Sequence, residues 1–209
     1  MGREAGRLTL SEDDRRVLAV WAADCADRTL ALFEAQASGD TRPRDAIDGL
    51  RAFARGELRI GKARALSVGA HAAARGISDP AAVAAARATG QAVATAHMAA
   101  HARGAAAYAA KAAGLAAPNE VTAMASEARW QCDHASPAVR EVLLRLPCPT
   151  RPAGVLAALI TDLHTQLAEP GSPAPPAPQG DPQPGTPSRD AAHRQIDCWP
   201  QLGRPHAEG

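Results

Sequence analysis

Two histidines four residues apart, His97 and His101, stand in an alanine-rich stretch that has few other polar side chains. Histidines at this spacing share one face of a helix and have the reach for one metal ion. His71 is a candidate third ligand from the preceding helix. However, the HMAAH segment lacks the general-base glutamate of an HExxH motif, and the sequence places no third ligand beside the pair. We therefore predict no metal site and no cofactor.

The two histidines belong to a longer polar stripe on the same predicted helix. Spacings of three and four residues bring to one helix face His97, His101, Gly104, Tyr108, Lys111 and Leu115. Three interpretations follow. The histidines are structural, each donating a ring N–H to a carbonyl; or the stripe lines a pocket or partner surface, with Tyr108 and Lys111 at its open end; or His97 and His101 bind a metal together with His71.

Composition limits the remaining possibilities. Hydrophobic residues make up 46% of the 209-residue chain and aromatic residues only 3%, so a core of Ala, Leu and Val is expected. Alanine is the best helix former, which predicts a helical protein. No GxSxG, P-loop or GxGxxG motif is present, so no catalytic residue is predicted. The net charge is +1, and without a strong basic excess or basic stripe we predict no binding to nucleic acid.

Helix start and stop signals divide the chain into an all-α bundle of about six to seven helices. Ser11 is the predicted N-cap of the first helix, and Pro43 and Pro80 begin later ones. The alanine-rich residues 80–117 form a long central helix, or two helices joined near Gly104. The other predicted helices cover about residues 43–55, 60–75, 120–131, 137–146 and 152–167.

The predicted domain organisation is an N-terminal arm at residues 1–10, a helical domain at 11–168 and a disordered tail at 169–209. Residues 170–187 contain eight prolines, a composition that does not bury enough apolar surface to fold. The charged N-terminus lacks the apolar region of a signal peptide, and no charge-free stretch of 18 apolar residues occurs. We expect a soluble, cytoplasmic protein without a membrane partner.

Five stretches spread over about residues 10–132 resemble one bacterial family and follow its order. They are WAADCADRTLALFE (21–34), DTRPRDAIDGLRAFARGE (40–57), AHAAAR (70–75), AAARATGQAVATAHMAAHARGAAAYAAKAA (84–113) and EARWQ (127–131). Together they resemble the putative immunity-protein family, which is related to the fifth-numbered class of polymorphic-toxin immunity proteins.

The resemblance implies a helical, non-enzymatic protein that binds and neutralises a toxin. The positions that match the family pattern include a turn at Asp40, Arg42, Pro43 and Arg44, and the candidate binding residues His71, His97, His101, Tyr108 and Lys111. We expect a histidine where Gln91 stands, so a ligand role at that position is not predicted.

Two alternatives to the immunity function stay open from the sequence. One is an enzyme, metal-dependent or converting a small molecule, that uses His71, His97 and His101 with help from Tyr108 or Lys111. The other is an intracellular helical scaffold or regulator. Residues 1–168 carry 20 Lys and Arg against 17 Asp and Glu. Electrostatic capture of a basic toxin is therefore not expected, and shape and apolar contact should dominate binding to a toxin.

Overall fold

The computed structural model describes residues 10–148 and 154–169, and this part of the chain is all-α, as predicted. Its helices are α1 (Glu12–Glu34), α2 (Arg42–Ala54), α3 (Ile60–Ala73), α4 (Pro80–Ala94), α5 (His101–Leu115), α6 (Glu120–Asp133), α7 (Pro137–Arg145) and α8 (Val155–Ala168), with a 3-10 turn at Ala74–Gly76 after α3. The predicted N-terminal arm and the predicted Pro-rich tail fall almost entirely outside the described residues.

Local capping signals fix the helix starts as the sequence predicts. Ser11 Oγ accepts a hydrogen bond from the Asp14 backbone N–H at 3.0 Å, and the Asp14 carboxylate accepts one from the Ser11 N–H at 2.9 Å. This reciprocal pair is a capping box. Asp79, directly before Pro80, caps α4 with a single bond: its carboxylate accepts a hydrogen bond from the Ala82 N–H at 2.8 Å. Both signals act within four residues, so the sequence reveals them.

The sequence left open one long alanine-rich helix or two, and the structure has two, α4 and α5. The described ranges therefore hold eight helices rather than the predicted six to seven. The break lies at residues 95–100, ahead of the predicted joint at Gly104. Here the hydrogen bonds change from the α-helical to the 3-10 pattern. The backbone N–H groups of Thr95, Ala96 and His97 each donate to the carbonyl three residues earlier. On α1, Arg15 Nε donates to the Ala96 carbonyl at 3.0 Å, which gives this carbonyl a partner outside the helix ladder.

The two alanine-rich helices occupy the centre of the bundle, where several helices pack on them. The α4 helix contacts α1, α2, α3 and α5, and α5 also contacts α1, α6 and α8. Small side chains allow these close approaches. Larger apolar residues of α1 and α2 are also fully buried, and they are Leu18, Leu30, Phe33, Ile47, Leu50 and Phe53. None of the helices in the described ranges is long and apolar enough to span a membrane.

Candidate functional site

The structure brings His71, His97 and His101 together, although they belong to different parts of the fold. His71 lies in the last turn of α3, His97 in the linker between α4 and α5, and His101 at the first position of α5. The rings of His97 and His101 are 5.3 Å apart between centroids and tilted by 55°. All three side chains are half-buried. We call these three residues the histidine cluster.

Burial keeps the histidine cluster neutral near pH 7. Desolvation is the largest cause that lowers the pKa of each imidazole below its ordinary value. The pKa of His101 is lowered further by the positive charge of His97 and His71 when they are protonated.

The ring contacts differ from those of the first interpretation, in which each histidine donates to a carbonyl. His101 Nδ1 is 2.7 Å from the side-chain oxygen Oε1 of Gln91, so its partner is an amide. The Nδ1 atoms of His71 and His97 are buried and have no hydrogen-bond partner among the described residues. The carbonyl partners predicted for the histidines are therefore wrong.

Two glycines make room for this arrangement. A Cβ atom at Gly90 of α4 would lie 2.7 Å from the His71 ring, and one at Gly104 would lie 2.8 Å from Gln91 Oε1. Ser67 Oγ, one helical turn before His71, donates to the Gly90 carbonyl at 2.9 Å. The absence of side chains at these two positions lets His71 of α3 pack against α4, and Gln91 of α4 pack against α5.

The rest of the polar stripe runs along α5. Its half-buried positions include His101, Gly104, Tyr108, Lys111 and Leu115, which recur at helical spacing between buried alanines. Tyr108 and Leu115 pack against the hydrophobic core. His97 precedes α5, so its predicted place on this helical stripe is wrong; it reaches the cluster through the linker.

No metal geometry accompanies the cluster. Among residues 10–148 and 154–169, no group of three or more His, Cys, Asp or Glu side chains could hold a metal ion. The convergence at metal-ligand distance that the third interpretation required is therefore not found in this part of the chain.

The turn at residues 40–44 ties helices together. Arg42 Nε donates to Asp40 Oδ1 at 2.8 Å, and this guanidinium lowers the pKa of the Asp40 carboxyl. Arg44 binds Glu34 at 2.7 Å and Asp27 at 3.2 Å, which joins α2 to α1. Pro43 is buried in the first turn of α2. The contacts of this turn give it a structural role in the α1–α2 corner.

Charge is segregated along the chain, a feature that the net charge of +1 conceals. Residues 58–119 contain seven Lys and Arg and a single acid, Asp79, which caps α4. None of these seven bases lies within 4.0 Å of a carboxylate among the described residues, whereas each ion-paired arginine lies outside this segment. Seven bases in these 62 residues match the chain's average of 23 in 209, so the segment is short of acidic residues rather than rich in bases.

Part of this unpaired positive charge surrounds the histidine cluster. Arg87 of α4 lies near enough to His71 for its charge to lower the pKa of that imidazole. The charges of Arg64 and Arg15 act in the same direction on the pKa of His97. No carboxylate acts in the opposite direction, to raise the pKa of any of the three imidazoles. The cluster is therefore a neutral, half-buried centre with a basic rim.

The lowered pKa values predict that acidification destabilises the fold. In the unfolded chain the three imidazoles take up protons near their ordinary pKa of 6.5, before they do so in the folded protein. The unfolded state then binds more protons, so the free energy of unfolding falls as pH drops below about 6.5. Urea denaturation at pH 7.5 and pH 5.5 measures this loss.

The matched variant replaces all three histidines by glutamine. Its absolute stability will differ because packing changes, so the comparison uses the change in unfolding free energy between the two pH values. We expect a smaller loss in the variant than in the wild type. An equal loss would show that the cluster does not cause the pH dependence.

Comparison with known proteins identifies the family of the chain. A family model described as "Imm-5 like putative immunity protein" matches residues 8–138. This range contains the histidine cluster, the turn at residues 40–44 and the basic segment. No curated protein and no solved structure matches the chain.

Proposed function

Because the chain belongs to the Imm-5 like putative immunity protein family, we propose that it binds a cognate bacterial protein toxin and neutralises it by stoichiometric association. The observation that carries the proposal is the family match, which covers more than half of the 209 residues. The toxin is of the polymorphic class, and the complex forms in the cytoplasm of the cell that needs protection.

The histidine cluster and its rim support binding more than catalysis. An enzyme that uses the three histidines through a metal requires them at ligand distance from one ion, and the described residues contain no such group. A binding surface requires polar side chains that are accessible and lack internal partners. Lys62 and Arg64 of α3 meet this requirement, since both are exposed and neither has a carboxylate partner among the described residues. The scaffold alternative has no observation of its own in its favour.

Co-expression tests the proposed function. Each reading frame next to the gene is expressed in a bacterial host, alone and together with the full chain. We expect one of them to arrest growth, the chain to restore growth, and the two proteins to elute as a complex of equal stoichiometry in size-exclusion chromatography. If no neighbouring product is toxic, or if growth is restored without a complex, the immunity function is wrong.

A further inference from the structure

We propose that the outer face of α3, together with the His97–Met98 linker and Arg87, is the docking surface of the protein and that it takes an acidic protein segment. The members of this surface are Arg64, Val68, His71, Arg87, His97 and Met98, and we call it the α3 surface. The inference rests on the proposed function and deepens it, because it assigns both the surface and the charge of the toxin segment.

Helical spacing places three members of the α3 surface in one row. Arg64, Val68 and His71 follow one another at intervals of four and three residues on α3, which aligns them along one side of the helix. Arg64 is exposed, and Val68 exposes 66% of its surface, more than most large apolar residues of the described chain. Arg64 and Val68 therefore face solvent, and the row ends at His71, which is half-buried against Gly90 of α4.

The linker before α5 continues the row across the fold. His97 lies close enough to Arg64 for that positive charge to lower the pKa of its imidazole. The His97 ring is tilted against the His101 ring, with 5.3 Å between the two centroids. Met98, the next residue, is 51% exposed. Val68 thus lies one helical turn before His71 and Met98 directly follows His97, while the charges of Arg87 and Arg64 act on these two imidazoles. Protein interfaces are enriched in arginine and methionine in this way.

Charge complementarity identifies the partner. Residues 58–119 carry seven bases and one acid, and none of the seven has a carboxylate partner among the described residues. A binding segment that supplies Glu or Asp side chains would pair with Arg64 and Arg87 and would replace the missing internal partners. Apolar residues in the same segment would cover Val68 and Met98. A nucleic acid would satisfy the arginines but would leave the two apolar side chains uncovered.

Titration of the isolated full-length protein tests the surface without the toxin. The probes are a short peptide of Glu and Leu residues and a single-stranded DNA of equal charge, with binding followed by NMR chemical shifts. We expect the peptide to shift the resonances of the α3 surface. In the variant Arg64→Glu/Arg87→Glu, its Kd should weaken about tenfold or more. Arg129→Glu is the matched control, because Arg129 is exposed, lies on α6 and belongs to a different segment.

Several outcomes would overturn the inference. They are a peptide that binds wild type and Arg64→Glu/Arg87→Glu equally, a peptide that does not bind, and DNA that binds the α3 surface more tightly than the peptide. If Arg87→Glu disturbs folding, Arg64→Glu alone decides, since its side chain is exposed.

The co-expression assay separates this inference from the proposed function. Restored growth with wild type and with Arg129→Glu, but not with Arg64→Glu/Arg87→Glu, supports both. Restored growth with the wild type and with both variants overturns the α3 surface and leaves the immunity function standing. If the wild type itself does not restore growth, the immunity function fails, and the peptide titration still decides whether the α3 surface takes acidic segments.

Discussion

Replacement of Arg28 by methionine is expected to lower the free energy of unfolding by about 2–3 kcal/mol, because it leaves a buried carboxylate without its counter-ion. Arg28 of α1 binds Glu127 of α6 through two nitrogens at 2.9–3.0 Å, and only 6% of the Glu127 side chain is exposed. The Arg28 side chain itself is 39% exposed. Water therefore reaches the pair from one side, so the expected loss lies at or below the lower end of the range of about 3–5 kcal/mol for breaking a fully buried pair.

The surroundings of Glu127 explain why no other group replaces Arg28. The Gln131 amide reaches Glu127 Oε1 at only 3.4 Å and donates its better bond, 3.0 Å, to the Ala106 carbonyl of α5. The backbone carbonyl of Gln131 accepts a hydrogen bond from Trp21 Nε1 at 2.9 Å. Arg28 also lies 3.8 Å above the Trp130 ring centroid. Its removal thus costs a cation–π contact as well as the ion pair.

A double-mutant cycle measures the ion pair separately from packing. Arg28→Met/Glu127→Met removes both charges, and its stability should return to within about 1 kcal/mol of wild type. The control Glu127→Gln should cost less than Arg28→Met, because the arginine that it leaves behind is partly solvated. Urea denaturation of wild type, Arg28→Met, Glu127→Met and the double variant gives the coupling energy. Additive effects of the two methionine substitutions would contradict the proposed energetic role of the pair.

The parts of this fold that sequence analysis predicted are those set by neighbouring residues. Ser11 with Asp14, and Asp79 with Pro80, act over at most four positions, and they begin helices where the sequence indicates. The interruption was placed near Gly104 instead of at residues 95–100, because the bond that accompanies it comes from Arg15, 81 residues away. The proximity of His71 to the other two histidines is likewise a consequence of how α3 packs on α4.

The candidate site shows the same division. Periodicity correctly placed His101, Tyr108 and Lys111 on one face of α5, because that face is a property of a single helix. The pairing of His101 with Gln91 depends on the turn between α4 and α5, which helix periodicity does not predict. The basic segment was available in the sequence throughout, but averaging over the whole chain concealed it. A charge count for each predicted helix would have shown three bases and no acid in both residues 60–75 and residues 80–117.

The position of His71 in the α3 surface depends on Gly90, and the substitution Gly90→Ala tests this dependence. The added Cβ atom would lie 2.7–2.8 Å from three atoms of the His71 ring, including Cγ, the atom nearest the backbone. Rotation of the ring about its own bond does not move Cγ, so the whole side chain must leave. Overpacking of this kind costs about 1–3 kcal/mol, while alanine in a helix gains up to about 1 kcal/mol over glycine. We expect a net loss of about 1–2 kcal/mol.

The sign of this effect should reverse when His71 is absent. In a His71→Ala background nothing opposes the new methyl group, so Gly90→Ala should stabilise the protein by about 0.5–1 kcal/mol. Gly69→Ala in α3 is the matched control, because its Cβ atom would meet only Arg42 Cδ at 4.0 Å, and it should stabilise both backgrounds. Thermal and urea denaturation measure the four combinations. If Gly90→Ala stabilises the protein while His71 is present, the ring does not rest against α4, and the α3 surface loses the residue that joins it to the histidine cluster.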